Sequence, residues 1–275
     1  MIEANHRDAV HELPNPEPVV PPTAELDREI AARGRELPRT LTWLPALKES
    51  EHFAKRFAAV SKVLDTVLAS VESTSAEELA ASEDLQWLHD NARLPRATQA
   101  TFQRDRSTLR RAPHVRDSQG ASMPRVLAIA QDFLRAAKCE YSDHRLSLYI
   151  NAFQESVPLN MHELWLLPPA LQLVLLEEIA ARGEKLVSHV ADSQQMGVLI
   201  TSLREVKEAP WKELLEPLIA FDHVLAADPA KAYARMDYAS RELYRNTVAE
   251  YAERSDCSEL EIAQLALQLA REAQK

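Results

Sequence analysis

The sequence predicts an all-α protein, and three observations carry that reading. Only four glycines occur, Gly34, Gly120, Gly183 and Gly197, against roughly 7% in average usage, so tight hairpins and phosphate-cradling loops lack the residues they are built from. Apolar side chains recur at spacings of three and four through most of the chain, and no period-two strand of convincing length interrupts them. Helix-start signals recur between these stretches. With 46% hydrophobic residues in 275, the chain can bury a substantial core. The expected architecture is a bundle or array of roughly nine to eleven helices with no significant sheet.

Pro14, Pro16, Pro18, Pro21 and Pro22 cannot propagate a helix, so residues 1–22 read as a disordered, extended lead-in. Thr23 is a suitable N-cap for a helix ending at Gly34, with Leu37-Pro38 closing the segment. A second helix runs on from Ser50, with Phe53, Phe57, Val60, Leu64, Val67 and Val71 at alternating spacings of four and three. That seam is too short for a coiled coil and fits a bundle helix. Ser75-Ala76-Glu77-Glu78 is a capping box opening a helix with Leu79, Leu85, Trp87 and Leu88, which Leu94-Pro95 breaks or restarts.

Asp117 to Ser122, with Gly120, is a turn, and Ser122 with Pro124 opens a helix whose buried stripe is Val126, Leu127, Ala130, Phe133 and Leu134. The next helix carries Leu146, Tyr149, Ile150 and Phe153 on one side and ends at Pro158. Asn160-Met161-His162-Glu163 caps the most apolar helix, which should bury Trp165, Leu171 and Leu175, kink or restart at Pro168-Pro169 and stop at Gly183. A membrane span needs about 20 mostly apolar residues; this stretch is interrupted by two prolines and Gln172 and reads as buried in protein.

Further helices start near Ser193, Pro210, Asp228 and Ser258, the last two marked by Asp-Pro and by a capping box to Glu261. Tyr233, Met236, Leu243, Val248 and Tyr251 share an apolar face that should bury Met236 and Leu243, and Asp237 pairs with Arg241 one turn on. The hexapeptides from Glu29 to Gly34 and from Glu178 to Gly183 are identical, but no period recurs between them, so they read as coincidence. The expected organisation is a lead-in over 1–22, an N-terminal helical part over 23–120 and a helical core over 121–275.

The formal net charge of −10 repels phosphate and argues against a general nucleic-acid or anionic-membrane binder. One segment opposes that charge: from Arg93 to Arg116 there are seven arginines against a single acid, Asp105. A solvated helix face is the plain reading of such a run. The functional one is a docking surface, with Arg104, Arg106, Arg110 and Arg111 at its centre, for anionic lipid or an acidic protein surface. Cys139 and Cys257 lie far apart and form no CxxC pair, which fits a reducing compartment better than a disulfide framework.

No catalytic, cofactor or metal site is expected. His162-Glu163 begins like the HExxH of zinc peptidases, but position 166 is Leu and the second ligand is missing. GxSxG, GxGxxG and Walker A sequences do not occur, and neither does the Asp-x-Asp that commonly holds the metal of nucleotide-sugar transferases. Tyr233, Tyr238, Tyr244 and Tyr251 fall within one expected helix; a sugar-stacking ridge is conceivable there, and core packing is the reading their spacing favours.

Three blocks resemble the helical amino-terminal region of the bacterial cyclic β-1,2-glucan synthases. The first is Trp87-Leu88 with Asp90-Asn91. The second runs from Pro124-Arg125-Val126 through Phe153-Gln154, Pro158-Leu159 and Glu163-Leu164-Trp165 to Leu176-Glu177. The third runs from Ile200-Thr201-Ser202-Leu203-Arg204 through Asp228-Pro229, Tyr233, Met236-Asp237-Tyr238-Ala239, Arg241 and Tyr244-Arg245 to the Ser258 helix. The resemblance implies a parent enzyme in the bacterial inner membrane that builds β-1,2-glucan from UDP-glucose in modules beyond this region. It implies for this chain a non-catalytic scaffold at the cytoplasmic face, with those catalytic modules as partners. The segment after Asn91 and the stretch between Ala181 and Ser193 depart from the family pattern. The alternative is a stand-alone helical interaction module derived from that family.

Overall fold

The computed structural model describes residues 22–44, 51–109, 112–116, 120, 122–190 and 196–274, with backbone alone for 22, 51–54 and 104–109. The expected lead-in, apart from Pro22, lies outside these residues, as do the Phe53 side chain and Ser193. Among the described residues there are thirteen α-helices, two 3-10 turns and three short strands. Three of the helices have only five or six residues, so the substantial ones match the expected number and the all-α class holds.

The centre of the fold is the apolar helix α8 (Met161–Val187), which packs against α2 (Glu51–Glu72), α5 (Arg93–Leu109), α6 (Arg125–Ala136) and α9 (Met196–Glu208). Helix α1 (Pro22–Thr40) lies along α7 (Asp143–Gln154) and α6. The short helices α3 (Ala76–Ala81) and α4 (Glu83–Asp90) lead from α2 to the α9 side. After α9, α10 (Trp211–Leu215) and α11 (Asp222–Ala226) precede a hairpin of α12 (Tyr238–Glu253) and α13 (Glu259–Ala273), which packs on α11. One cluster of buried apolar side chains runs from Ile30 to Ala263. By length and composition α8 is able to cross a membrane, yet 61% of its apolar window is buried by the other helices.

All three expected capping boxes form, at Ser75, Asn160 and Ser258. Each satisfies one orphan amide at the helix start and ties the cap's own N–H to the glutamate three residues on. The first helix is shorter than the sequence suggested, because Ser82 turns extended and its hydroxyl accepts from Leu85 N, capping α4 afresh. Asp228 also behaves differently. Its carboxylate gathers the N–H groups of Ala232 and Tyr233 at 2.9–3.1 Å and closes a turn rather than starting a helix. A 3-10 turn over Tyr233–Arg235 follows, and α12 begins only at Tyr238, where Asp237 accepts from Ser240 N.

One small sheet, among the described residues, was not foreshadowed by any spacing. Strand β1 (Thr42–Trp43) pairs antiparallel with β2 (His114–Arg116), and β2 with β3 (Ser122–Pro124). Strands of two and three residues are too short to show a period of two. The sheet brings Trp43 over the Arg125 guanidinium, 4.8 Å from its ring centre.

Neither Gly34 nor Gly183 ends a helix. A β-carbon on Gly34 would lie 2.5 Å from the Tyr149 carbonyl oxygen, and one on Gly183 2.4 Å from Val67 Cγ1. Glycine is there because α1 crosses α7, and α8 crosses α2, too closely for a side chain. The two identical hexapeptides thus share a packing role, since Ile30 and Ile179, four residues before each glycine, are fully buried. Ala is normally the better helix residue by about 1 kcal/mol. Here Gly34→Ala is expected to destabilise by about 1–3 kcal/mol, because the obstacle is backbone that cannot rotate away. Gly34→Ala and an exposed control, Ser240→Ala, should move the urea midpoint by clearly different amounts.

Helix α8 also runs unbroken through Pro168 and Pro169, although the carbonyls of Leu164 and Trp165 lose their in-helix N–H donors there. His162, Trp165, Pro169 and Gln172 fall on one stripe of α8 that faces outward, which leaves Trp165 41% exposed and corrects its expected burial. Leu171 and Leu175 are fully buried as expected.

Candidate functional site

The side chains of Arg104 and Arg106, and the whole of Arg110 and Arg111, lie outside the described residues. Of the same segment, Arg96 is bound to Glu72 of α2, and Arg93 and Arg116 are exposed.

A different set of residues is brought together where α4 meets α9. Gly197 sits under the Trp87 indole; a β-carbon there would lie 3.0 Å from Cε2, so the missing side chain lets the start of α9 rest on the ring. Met196 N donates to Asp84 Oδ1 at 2.7 Å, fixing the α9 N-terminus to α4. At the far end of α4, Asn91 donates to the Trp87 carbonyl at 2.8 Å and accepts from Arg204 at 2.7 Å.

The third wall is the turn between α6 and α7. Lys138 and Cys139 both have left-handed backbone, with φ of 52° and 61°, an arrangement that carries steric strain in residues with a β-carbon. The turn is held by Cys139 N donating to the Leu134 carbonyl at 2.7 Å. Ser202 of α9 clamps it from outside, donating to the Cys139 carbonyl at 2.7 Å and accepting from Tyr141 N at 2.9 Å. This places Glu140 and Tyr141 beside Trp87, Thr201 and Glu205 around a cavity of about 450 Å³. A second cavity of about 290 Å³ also borders Trp87, lined by Glu83, Gln86, Asp90 and Asn91.

The groove is acidic. Burial, then Asp143 and Glu140, raises the Glu205 carboxyl above its ordinary value. Burial, then Asp143, pushes the Tyr141 phenol well up and keeps it protonated. A cleft of about 490 Å³ between α6, α8 and α9 contains Cys139, Glu177, Glu178 and Arg182, with Arg135 and Lys138 also in its wall, but both of its carboxylates are already paired. Glu177 holds Arg56 of α2 at 2.6 Å and Glu178 meets Arg182 at 3.6 Å. Burial raises the Cys139 thiol, the opposite of what a nucleophilic cysteine needs.

Other polar residues quoted for the family resemblance are spent on joining elements. Arg125 grips Glu163 through both carboxylate oxygens, with the two side chains 7% and 0% exposed. The carboxylate that looked like the start of a metal motif is therefore a buried ion-pair partner. Among the described residues no group of three or more His, Cys, Asp or Glu is placed to hold a metal.

Arg245 is 1% exposed and binds Asp222 of α11 and Glu216 beside α10, with Arg241 on Glu216 at 3.0 Å. The expected pairing of Arg241 with Asp237 gives way to this one. Because α12 turns Arg245 and Val248 inward, Leu243 and Tyr251 are 67% and 60% exposed, against the expected buried face. Tyr244 is 49% exposed, Met236 half-buried and Tyr233 buried, so of the four tyrosines only Tyr233 is core.

Glu259 at the start of α13 accepts from Met161 N, the first amide of α8, at 2.9 Å. Burial, reinforced by Glu163, pushes its carboxyl up to about 7, and the Met161 bond offsets part of that. A carboxyl raised on folding stabilises fully below its unfolded value of about 4.5 and loses that contribution as pH rises through 7. Thermal unfolding followed at pH 5 and pH 8 should show the wild type losing more stability over this interval than Glu259→Gln, which keeps an acceptor for Met161 without the charge.

The groove residues Tyr141, Asp143 and Glu205 carried no signal in linear spacing, since α7, α8 and the Ser202 clamp lie between them in sequence or in space. Trp87, Thr201 and Ser202 were marked in advance, through the resemblance.

No protein family matches the chain in a family-level comparison. Cyclic β-(1,2)-glucan synthase NdvB of Rhizobium meliloti (strain 1021) is 35% identical to it over 78 residues, which is 28% of this chain and 3% of that protein. The match supports a relation to that family over part of the chain, and the matched segment is a small fraction of the relative's own length.

Proposed function

We propose that this chain is a helical, non-catalytic scaffold of a protein related to the cyclic β-(1,2)-glucan synthases. The observation that carries the reading is how the residues of the three resembling blocks are used. Asn91 and Arg204 join α4 to α9, Ser202 joins α9 to the α6–α7 turn, and Arg125 joins the start of α6 to α8. Side chains spent on such bonds fix the relative positions of helices and are not free for chemistry. The region works at the cytoplasmic face of the bacterial inner membrane and holds the transferase modules in register. The arginines from Arg93 to Arg116 supply its contact with anionic lipid or an acidic protein surface.

The purified chain, given UDP-glucose, a divalent metal and a β-1,2-glucan primer, should release no UDP and leave the primer length unchanged. Steady turnover abolished by a point substitution in this chain would overturn the scaffold reading. For the docking segment, Arg110→Glu with Arg111→Glu should weaken binding to phosphatidylglycerol vesicles or an acidic partner, and added salt should do the same.

A second reading, a stand-alone interaction module, draws on Leu243, Tyr251, Leu265 and Leu269, each more than half exposed on α12 and α13. The coding sequence after Lys275 separates the two: membrane spans and a transferase there favour the scaffold, and a stop codon favours the module.

A further inference from the structure

We propose that the cleft between α6, α8 and α9 binds a phosphate monoester on a small carbon body. The first observation is charge. Arg135, Lys138 and Arg182 line the cleft together with Glu177 and Glu178, but Glu177 is neutralised by Arg56 of α2, which binds both its oxygens at 2.6 Å. Glu178 is matched by Arg182. Arg135 comes only within 4.0 Å of Asp132, a carboxylate whose two oxygens are already taken by Arg33 and Tyr149. Lys138 has no ion-pair partner among the described residues. Two unmatched cations in a chain of net charge −10 make a locally positive cleft, which concentrates anions that the rest of the surface repels.

The second observation is unspent donors. The Arg182 side chain is 12% exposed, yet its partners among the described residues are the Glu178 carboxylate at 3.6 Å, too long for a hydrogen bond, and the weakly accepting Cys139 thiol. Mostly buried guanidiniums are otherwise bonded to carboxylates here, as Arg125 is to Glu163 and Arg245 to Asp222. Gln131 in the same wall has no hydrogen-bond partner among the described residues. A phosphoryl group supplies acceptors for Arg182, Gln131 and the two unmatched cations at once, and a monoester carries about −1.5 to −2 charges at neutral pH. A single carboxylate would balance one cation and leave the other. Val174 and Val198 give the cleft an apolar side for the ester's carbon body, and about 490 Å³ lies within the roughly 300–1,000 Å³ of small-molecule sites.

The test titrates the 275-residue chain with phenyl phosphate, followed by calorimetry and by thermal unfolding, whose midpoint should rise with the ligand. Arg135→Gln and Lys138→Gly should each weaken binding about tenfold. Lys138 is held with φ of 52° just after α6, where glycine is unstrained, so Lys138→Gly should unfold no lower than the wild type and its lost binding is not lost folding. Arg254→Gln, the same charge change at an exposed residue of the α12 end, should leave binding within about twofold. Phenol, the same carbon body without the phosphate, should give no signal. Phosphatidate vesicles that displace phenyl phosphate would identify a lipid headgroup as the source of the ester, and vesicles without effect a soluble one. Absence of heat and of any midpoint shift with millimolar phenyl phosphate would overturn the site, as would equal weakening by Arg254→Gln or binding that Arg135→Gln with Lys138→Gly leaves intact.

Discussion

Replacing Arg125 with Ala is expected to destabilise the protein by about 3–5 kcal/mol, the largest effect of any single substitution named for this chain. The Glu163 side chain is fully buried and Arg125 is its cationic partner. The same carboxylate also accepts from Asn160 N in the capping box at the head of α8. Without the guanidinium a charge is stranded in the core, and the helix start it organises loses its anchor to α6. Removing both charges is a different perturbation. Arg125→Met with Glu163→Gln should recover most of the loss, since an apolar and a neutral side chain of similar volume no longer need each other. Urea unfolding of the two single variants and the double gives the coupling. A loss below about 1 kcal/mol for Arg125→Ala would mean that water reaches Glu163 and that the pair does not hold α6 to α8.

Leu171→Ala is expected to cost about 2–5 kcal/mol. Leu171 is fully buried on α8, the helix around which α2, α5, α6 and α9 assemble, so the vacated volume has rigid walls on several sides. The matched comparison is Leu243→Ala. Leu243 is 67% exposed on α12, and its truncation should change stability by no more than about 0.5 kcal/mol. Both leucines looked like core in the sequence, so the contrast tests the placement of α12 directly. Equal losses would show Leu243 covered by another surface in solution, and a negligible loss at Leu171 would mean that α8 is not the centre of the fold.

Features set by neighbours in sequence were legible. The capping boxes at Ser75, Asn160 and Ser258 formed as read, because a cap needs only residues three apart and a helix to follow. The stripe on α7 was correct because that helix has one apolar face and one way to bury it; the α6 stripe is buried too, together with Ala128, Ile129 and Asp132 outside it. Legibility failed where several faces were available. Helix α8 is apolar nearly all round, so periodicity did not say which stripe would face out, and the outward one carries Trp165. The meeting of Tyr141 with Glu205 was not legible. Tyr141 and Glu205 become neighbours only when Ser202 clamps the α6–α7 turn, and a hydrogen bond between distant backbone and side-chain atoms leaves no spacing to read.

The sequence by itself determined an all-α chain, the starts of most of its helices and a hydrophobic core large enough to close around α8. All of these follow from local propensity, short-range capping and composition. Tertiary structure alone decided which face of each helix turned inward and how near the helices came. Asp222 and Glu216 drew Arg245 inside and turned Leu243 out, because a buried guanidinium requires carboxylate partners more strongly than a surface leucine requires cover. Gly34 and Gly183 read as helix stops and became crossing points, because a residue without a β-carbon serves either purpose and only the approaching helix decides which.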